Sequence, residues 1–472
     1  MAFELHHLTA QEQWDWLQRG EITPAELTEH YLERILRLDG GLGAFVRVLP
    51  DDARRRAAEV ATSVPRTRPL WGLPMADKDL DARAGVPAGY GSAVMTGFVP
   101  TESDRIVIDV DQTGAVNLGR TNTPEFGLTS YTESAVAPPA CNPWNTALGS
   151  GGSSGGAATA VSAGLLPVAV GSDGGGSVRI PAAACGLVGL KPSRGLVPAR
   201  TGLDSLAGLV VPGPIARTVA DAAMVLDALV AARPYPMATR SPEWTDGSLL
   251  GAAVRGEGRY QVGVTTSSPW DDAYEIEISP EARHALESAT RELDALGHGI
   301  ERFDLERDES YAPAFRTVWQ VGAAGIPAEG ADVARLEPLT AWLVARGREV
   351  SGRILAEALA ALSAYERSII RQLASFDAVM TPSLALTPRP VGWYDRDDPE
   401  RNFAQQVVYT PFTSVANVCG LPAITLPVHQ TADGLPMGVQ LMGRPGGEQV
   451  LVSIGTQLER RLAWHRRHPA MW

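Results

Sequence analysis

The chain has little lysine and little cysteine. Lys78 and Lys191 are its only lysines among 472 residues, and its three cysteines are Cys141, Cys185 and Cys419. Cysteines that are odd in number and widely separated favour neither a disulfide framework nor a zinc site. We therefore expect three buried thiols in a reducing compartment.

Long apolar runs and a basic surplus are also missing. The most apolar stretch, residues 157–170, is interrupted by Ser162, Gly164 and Pro167 and falls short of the roughly 20 residues of a membrane helix. No basic segment followed by an apolar one opens the sequence, so we expect a cytoplasmic protein. A net charge of −13 argues against nucleic acid or an anionic membrane surface as partner.

Metal and phosphate motifs are absent as well. The sequence has no HExxH, no Cys/His cluster, no calcium loop and no P-loop, so we expect neither a metal nor a cofactor. Its eight histidines form no catalytic signature, and we interpret them as surface or capping residues.

The remaining texture favours an α/β architecture. Between about residues 70 and 220, short apolar runs at 107–108, 115–118 and 167–170 alternate with glycine-rich turns and alanine-rich helical stretches. Such alternation predicts short strands of a buried sheet that is covered by helices.

Several further elements are predicted by local signals. Thr9 with Glu12 and Thr23 with Glu26 match capping boxes, which mark helix starts. The later segments are expected in this order: a helix from Thr218, a loop or insertion at 234–260, helices over 308–374, a surface loop at 383–401, and strands at 423–427 and 437–442 joined by a turn at Asp433-Gly434.

No internal repeat or low-complexity linker divides the chain, so we expect one domain over residues 1–472. Its expected parts are an N-terminal helical segment to about 65, a core that carries the chemistry at about 70–230, variable pocket segments at about 230–412, and closing strands and a helix at about 413–472.

Glycine and serine are concentrated in two strings, GSGGSSGG at 149–156 and GSDGGGSVR at 171–179. A flexible linker is the usual meaning of such strings, but the first one directly precedes an alanine-rich helix. Consecutive glycines at 174–176 allow successive N–H groups to converge on one point, which suits an oxyanion. Ser177, immediately after them, would be the nucleophile.

A serine nucleophile needs a base, and no histidine lies within or beside these strings. Lys78 and Lys191 are the alternatives, and each could instead be a buried structural lysine. An unperturbed lysine has a pKa near 10.4, so burial would have to lower that pKa to about 7 or 8 to give a neutral base.

These residues closely resemble the amidase signature family. The resemblance rests on the segment from Gly72-Leu73-Pro74 through Lys78-Asp79, on GGSSGG, and on SDGGGSVRIPAAACGLVGLKP. Ser177 follows Ser153 by 24 positions and Ser153 follows Lys78 by 75 positions, as is usual in that family. The likeness covers most of the chain.

The resemblance implies a single α/β domain with a mixed central sheet covered by helices on both faces. It also implies a hydrolase that cleaves a carbon–nitrogen amide-type bond, in amides, anilides or carbamates, and that extends to esters. Ser177 would be acylated, Ser153 would relay the proton, and Lys78 would be the neutral base. The Gly152–Ser153 peptide bond would be cis.

The resemblance also assigns supporting residues. The oxyanion hole would be formed by the backbone N–H groups of Gly174, Gly175, Gly176 and Ser177. The loops around it would be fixed by Ser154, Asp173 and Arg179.

The chain departs from the family at two positions. The family usually has threonine where Ser172 stands, so the hydroxyl is kept, and a bulkier residue where Gly174 stands. A glycine there would widen the acyl side of the pocket. Lys191 also sits in a family motif, and we assign it a packing role.

The motifs do not specify the substrate pocket. The residues we predict to line it are Phe126, Leu128, Tyr131 and Trp319, with Trp393, Tyr394 and Phe412 from later segments. Ordinary aromatic packing is the alternative for each. The expected partner is a small amide-type molecule, bound by a monomer or homodimer.

Two other functions stay open. The chain could be the amidase subunit of a tRNA-dependent amidotransferase, which typically carries a Ser-Leu-Asp-Gln-like string where this chain has DSLAGLVVPGPIART at 204–218. It could also be a catalytically inactive binding protein on the same fold, which the presence of all three triad residues disfavours.

Overall fold

The computed structural model describes residues 4–197, 205–232 and 247–472. The α-helices within these ranges are α1 (Ala10–Arg19), α2 (Pro24–Leu38), α3 (Pro50–Ser63), α4 (Arg105–Gln112), α5 (Gly155–Ser162), α6 (Arg179–Ala184), α7 (Val219–Ala232), α8 (Leu249–Arg255), α9 (Pro280–Ala295), α10 (Tyr311–Ala324), α11 (Pro338–Glu349), α12 (Gly352–Gln372), α13 (Pro399–Tyr409), α14 (Ser414–Val418) and α15 (Glu448–Leu462). None of the helices in the described ranges combines the length and apolar character needed to span a membrane.

The strands form one large sheet, one small sheet and a two-stranded ribbon. Their bounds are β1 (Phe45–Val48), β2 (Pro74–Lys78), β3 (Val116–Thr121), β4 (Cys141–Asn142), β5 (Asn145–Gly149), β6 (Val168–Asp173), β7 (Val188–Lys191), β8 (Val211–Ala216), β9 (Gln261–Val264), β10 (Gly299–Arg302), β11 (Ala378–Pro382), β12 (Ala423–Gln430) and β13 (Pro436–Gly443).

The large sheet is mixed and has eight strands in the order β10-β9-β11-β13-β12-β7-β8-β6. β9 pairs in parallel with β10 and β11, whereas the other neighbours are antiparallel. Helices cover both faces of this sheet. The expected α/β domain with a mixed central sheet is therefore confirmed.

Alternate residues of β11 show how both faces are buried. Ala378 and Met380 belong to a core shared with α7, α9 and α15, whereas Val379 belongs to a second core with α10, α12 and α14. Successive side chains of a strand point to opposite faces of the sheet. All five residues of β11 are buried, which explains why its sequence is apolar throughout rather than alternating.

The small sheet, in the order β1-β3-β2, carries Lys78. Lys78 is the last residue of β2 and lies opposite Thr121 of the parallel strand β3. β2 also contacts β6, which ends with Ser172 and Asp173. The contact between the two sheets therefore places the lysine beside the second glycine-rich string.

Several local predictions are confirmed. Thr9 and Thr23 cap α1 and α2, and each predicted glutamate accepts a hydrogen bond from the cap backbone. α7 begins after Thr218, whose hydroxyl accepts the N–H of Asp221 at 3.0 Å. β12 and β13 form the predicted antiparallel hairpin.

Other local predictions are wrong. Residues 107–108 lie in α4 rather than in a strand, because Val107 and Val110 are spaced to bury one helix face. The predicted loop at 234–260 contains α8, which Ser248 caps; its residues 233–246 lie outside the described part. The N-terminal segment, expected to be helical, also includes β1.

Two histidines and one loop are more buried than expected. His6 and His298 are 2% and 4% exposed, because each packs against another aromatic ring. The surface loop predicted at 383–401 is partly internal, since Leu384 and Tyr394 belong to a small buried cluster.

α10 and α11 approach each other closely at Gly347. A Cβ built on this glycine would lie 1.9 Å from the carbonyl oxygen of Gln320, well inside any normal contact. α10 carries Phe315 and Trp319, so this glycine fixes the position of two aromatic side chains. Gly352, at the start of α12, has no atom within 4 Å of the corresponding position.

We predict that Gly347→Ala destabilises the protein by about 1–3 kcal/mol, because the two helix backbones must separate. Gly352→Ala is the matched control and should leave stability unchanged or raise it by up to about 1 kcal/mol through helix propensity. Urea unfolding followed by circular dichroism measures both. Equal stability of the two variants would contradict the close approach.

Candidate active site

Lys78 lies at the centre of the site and is fully buried. Its Nζ donates hydrogen bonds to the Oγ atoms of Ser153 at 2.8 Å, Ser154 at 2.9 Å and Ser172 at 3.1 Å. These three hydroxyls come from both glycine-rich strings. The structure therefore brings together all the serines that the sequence placed near the lysine.

Burial lowers the pKa of Lys78 to about 7, against the opposing charges of Asp81 and Asp173. A substantial fraction of the amine is then neutral near pH 7, as a general base requires. The three hydroxyls around Nζ are uncharged, so they satisfy its hydrogen bonds without an adjacent counter-ion.

Ser153 follows a cis Gly152–Ser153 peptide bond. A Cβ on Gly152 would lie 2.5 Å from the carbonyl oxygen of Tyr131, so only glycine fits against that backbone. The carbonyl oxygen of Ser153 accepts a hydrogen bond from the hydroxyl of Thr123 at 3.1 Å. Ser153 is thus fixed from both sides.

Ser177 lies between the three glycines and α6 and is 9% exposed. Its carbonyl oxygen accepts the N–H of Ser154 at 3.1 Å, which joins the two glycine-rich strings. Its hydroxyl makes no hydrogen bond to any residue in the described ranges and faces open space, where two cavities meet.

The oxyanion donors differ from the predicted set at Gly176. Its N–H donates to Oδ1 of Asp173 at 2.8 Å, so it is already engaged inside the protein. Gly176 has φ 130°, and a Cβ there would lie 2.5 Å from the hydroxyl oxygen of Thr413. The N–H groups of Gly174, Gly175 and Ser177 make no hydrogen bond within the described part of the chain.

Asp173 and Arg179 form a buried ion pair beneath this loop. Arg179 donates to the two carboxylate oxygens from Nε and Nη2, both at 2.9 Å. Burial alone raises the pKa of Asp173, but the charge and hydrogen bonds of Arg179 outweigh it and hold that pKa at about 2. This pair therefore stabilises the fold above about pH 4, and its contribution is lost as the pH falls through about 2.

Three partners of this pair were not predicted. Asn417 donates to Oδ1 of Asp173 at 2.9 Å, and Arg179 donates to the carbonyl oxygen of Thr413 at 2.8 Å and to Oε1 of Gln440 at 2.5 Å. They lie 234 to 261 positions from Arg179, and no motif marks them. Only the fold brings them to the site.

The two cavities that meet at Ser177 differ in size, at about 600 Å³ and about 70 Å³. Ser153, Ser172 and Gly174 line the larger cavity, and Gly175 lines the smaller one. Other residues of the larger cavity include Leu80, Asp81, Asp104, Arg105, Ile106, Leu206, Leu209, Val210, Pro212 and Val318. Other residues of the smaller cavity include Ile180, Trp270, Phe315, Phe403, Gln406, Val407 and Ser414.

Three of the predicted pocket residues lie at these cavities. Phe126, Leu128 and Trp319 line the larger one, and Leu128 and Trp319 also line the smaller one. Phe126 has a positive φ of 49°, which marks a tight turn just after the Thr-Asn-Thr-Pro segment. These three are in place to contact a substrate.

Tyr131 lines neither cavity. Its ring is stacked on Tyr394 with centroids 4.0 Å apart, and its hydroxyl accepts a hydrogen bond from Asn402 at 2.9 Å. Trp393, Tyr394 and Phe412 are likewise absent from both linings. For these four residues the structure agrees with the alternative of aromatic packing.

Lys191 is also buried, but it lies apart from the serines. Its Nζ donates to the carbonyl oxygen of Pro192 at 2.8 Å, and burial lowers its pKa to about 7. A lowered pKa therefore does not distinguish the two lysines. The contact with Ser153, which Lys78 alone makes, does so.

One group among the described residues could hold a metal ion. Glu4, His6 and His30 place their ligand atoms within 4.8 Å of one another. None of them lines either cavity at Ser177, and Arg34 lies 3.6 Å from the carboxylate of Glu4 and competes for it. The hydroxyls and the lysine at the active site are not a metal-ligand set.

The fold and site are those of an α/β hydrolase that uses serine and lysine rather than histidine. The amidase family profile matches residues 26–452. That match covers most of the sequence, so the chain belongs to the amidase family, and the resemblance to the amidase signature enzymes is confirmed. The protein is a hydrolase of amide-type carbon–nitrogen bonds.

Relatives match over nearly the full length. AmiB2 of Mycobacterium tuberculosis, a protein named for amidase activity, is 36% identical and covers 96% of each chain. One of the subunits of the glutamyl-tRNA(Gln) amidotransferase from Roseiflexus is 32% identical and covers 98% of each. The structure of a 6-aminohexanoate cyclic dimer hydrolase complexed with substrate superposes with a TM-score of 0.89, 30% identity and 99% coverage of each chain.

We predict that Arg179→Met destabilises the fold by about 3–5 kcal/mol, because it leaves the Asp173 carboxylate buried without its counter-charge. The control is Arg353→Met, which removes an exposed pair with Glu357 whose side chains are 74% and 62% exposed; its cost should stay below about 0.5 kcal/mol. Chemical denaturation compares them. A small effect at Arg179 would contradict the role of this pair.

Proposed function

We propose that the protein hydrolyses a small-molecule amide-type substrate through an acyl-enzyme on Ser177. The observation that carries this proposal is the 2.8 Å hydrogen bond from the buried Lys78 amine to Ser153, in the same cavity wall as Ser177. The larger cavity thus contains a candidate nucleophile, a candidate proton relay and a candidate base.

In the first step, Oγ of Ser177 attacks the substrate carbonyl carbon. Its proton passes to Ser153, and the proton of Ser153 passes to neutral Lys78. The N–H groups of Gly174, Gly175 and Ser177 are oriented to receive the negative charge that develops on the carbonyl oxygen. The relay needs a hydrogen bond between Ser177 and Ser153 that closes when substrate binds, as catalytic hydrogen bonds often do.

The tetrahedral intermediate then collapses and the carbon–nitrogen bond breaks. Lys78 returns its proton through Ser153 to the leaving nitrogen, which departs as a neutral amine. Water next attacks the ester carbonyl of acylated Ser177 and gives its proton to the same relay. The acid is released, and Ser177 and Lys78 regain their starting protonation states.

The bond cleaved is an amide in this proposal, with anilides, carbamates and esters as chemical variants. All of them pass through a tetrahedral oxyanion, so the same donors and relay serve each. The 6-aminohexanoate cyclic dimer hydrolase supports the amide assignment, because its chain superposes on this one end to end. The protein would act as a monomer or homodimer without a cofactor.

A second candidate is the amidase subunit of a tRNA-dependent amidotransferase. The full-length similarity to the amidotransferase chain from Roseiflexus favours it. Against it, residues 204–218 lack the Ser-Leu-Asp-Gln-like string typical of that subunit. Activity of the purified single chain on simple amides, without partner subunits or tRNA, would favour the free-standing amidase.

We predict that phenylmethylsulfonyl fluoride adds one sulfonyl group to the wild-type protein and none to Ser177→Ala. An activated serine is required for this reaction, because ordinary surface serines do not react. Intact-protein mass spectrometry measures the adduct. Ser63→Ala, at the exposed end of α3, is the control and should be labelled like wild type; the same adduct on Ser177→Ala would refute the assignment.

We also predict that kcat/KM for amide hydrolysis falls about tenfold per pH unit below about pH 7. The pKa of Lys78 is about 7, so below that pH the amine is protonated and cannot accept a proton, whereas above it the base is available. Because the pKa of Lys191 is also about 7, Lys191→Met is the control. The acidic limb should persist in this variant, and its disappearance would assign the titration to Lys191 instead.

A further inference from the structure

Ser177 stands between two compartments of unequal size. We call the larger cavity, of about 600 Å³, the wide compartment, and the smaller one, of about 70 Å³, the narrow compartment. Neighbouring glycines of the loop face opposite sides. A Cβ on Gly174 would meet Val210 at 3.1 Å, and a Cβ on Gly175 would meet Phe315 at 3.9 Å. A carbonyl held at Ser177 must therefore direct one substituent into each compartment.

The proton relay distinguishes the two sides. Ser153 and Ser172 line the wide compartment and not the narrow one. Under the proposed function, on which this inference rests, the leaving nitrogen must receive its proton from Ser153. The nitrogen and its substituent therefore lie in the wide compartment, and the acyl substituent lies in the narrow one.

The narrow compartment limits the size of the acyl group. A protein cavity of about 150 Å³ accepts benzene, so about 70 Å³ has room for about three carbon atoms beyond the carbonyl. Its aromatic walls, Trp270, Phe315 and Phe403, pack against one another with centroids 5.3 to 6.4 Å apart. Such mutual packing leaves little freedom to expand.

The narrow compartment also selects against charge. Every residue that lines it is uncharged. Its polar side chains are engaged elsewhere: Gln406 accepts the N–H of Ser130 at 2.8 Å, and Ser414 accepts hydrogen bonds from Trp270 and Tyr311. A carboxylate or ammonium on the acyl group would lose its hydration without gaining a partner.

The wide compartment suits a large amine. It combines apolar side chains such as Phe126, Leu206 and Val318 with charged residues, including Asp81 and Arg105. Its volume is in the range of pockets that bind drug-sized molecules. Gly174 adds room on this side, so the glycine widens the leaving-group side of the pocket rather than the acyl side.

We propose that the substrates are N-substituted amides that join a short, uncharged acyl group of two to four carbons to a bulky, largely apolar amine. Anilides and related aryl amides of acetic, propionic and butyric acid are the chemical class that fits both compartments.

The test is a set of 4-nitroanilides that differ only in the acyl group: acetyl, propionyl, butyryl, hexanoyl and benzoyl. Release of 4-nitroaniline gives kcat/KM for each. We expect hexanoyl and benzoyl anilides to be at least about tenfold poorer than the best short-chain anilide, since the surplus carbons do not fit. A second set keeps propionyl and enlarges the amine from ammonia to aniline to naphthylamine, along which kcat/KM should rise.

Phe315→Ala enlarges only the narrow compartment and should raise the ratio of hexanoyl to acetyl kcat/KM at least about tenfold. Val210→Ala is the matched control, because Val210 lines only the wide compartment; it should change that ratio less than about threefold. Phe315→Leu serves the same purpose if the alanine variant fails to fold, and the wild-type series decides the question without any variant.

The outcomes separate the two levels of the proposal. A wild-type protein that forms the Ser177 adduct but prefers long or aromatic acyl groups, or cleaves none of the short-chain anilides, overturns the inference and leaves the proposed function intact. A protein that forms no adduct and hydrolyses none of the amides removes the proposed function itself.

Discussion

The active-site loops depend on one buried ion pair, between Asp173 and Arg179. The carboxylate accepts hydrogen bonds from Arg179, from Asn417 and from the N–H groups of Gly176 and Val178. Buried charges persist only when they are paired and fully hydrogen-bonded, so this set of contacts admits little rearrangement. It connects the glycine loop to α6, α14 and β13, and it decides which N–H groups of the loop remain available.

Lys78 shows the opposite response to the same low-dielectric interior. Arginine keeps its proton, so Arg179 must be paired where it is buried. Lysine can release its proton, and at Lys78 three neutral hydroxyls replace the missing carboxylate. A charged pair that fixes the loop and a neutral amine that can accept a proton therefore lie on the two adjoining strands, β6 and β2.

The sequence predicted the features that depend on short stretches of chain. Helix caps such as Thr23 and the spacing of Lys78, Ser153 and Ser177 are of this kind, and the structure brings Ser153 to the lysine. Asn417 was missed because only tertiary folding brings it to Asp173. Gly176 was placed among the oxyanion donors because the sequence did not reveal that Asp173 takes its N–H. Tyr131 follows Phe126 and Leu128 closely in the chain, but its ring turns away to Tyr394.

The burial of both lysines gives this protein an unusual surface. Lys78 and Lys191 are the only lysines in the sequence, and they are 0% and 1% exposed, so every exposed basic side chain is an arginine or a histidine. Reagents that acylate side-chain amines find no target on the folded molecule. Acylation of either lysine then reports the opening of the core around it, and the two sites report on different strands, β2 and β7. The chain thus carries two built-in probes of its own local unfolding.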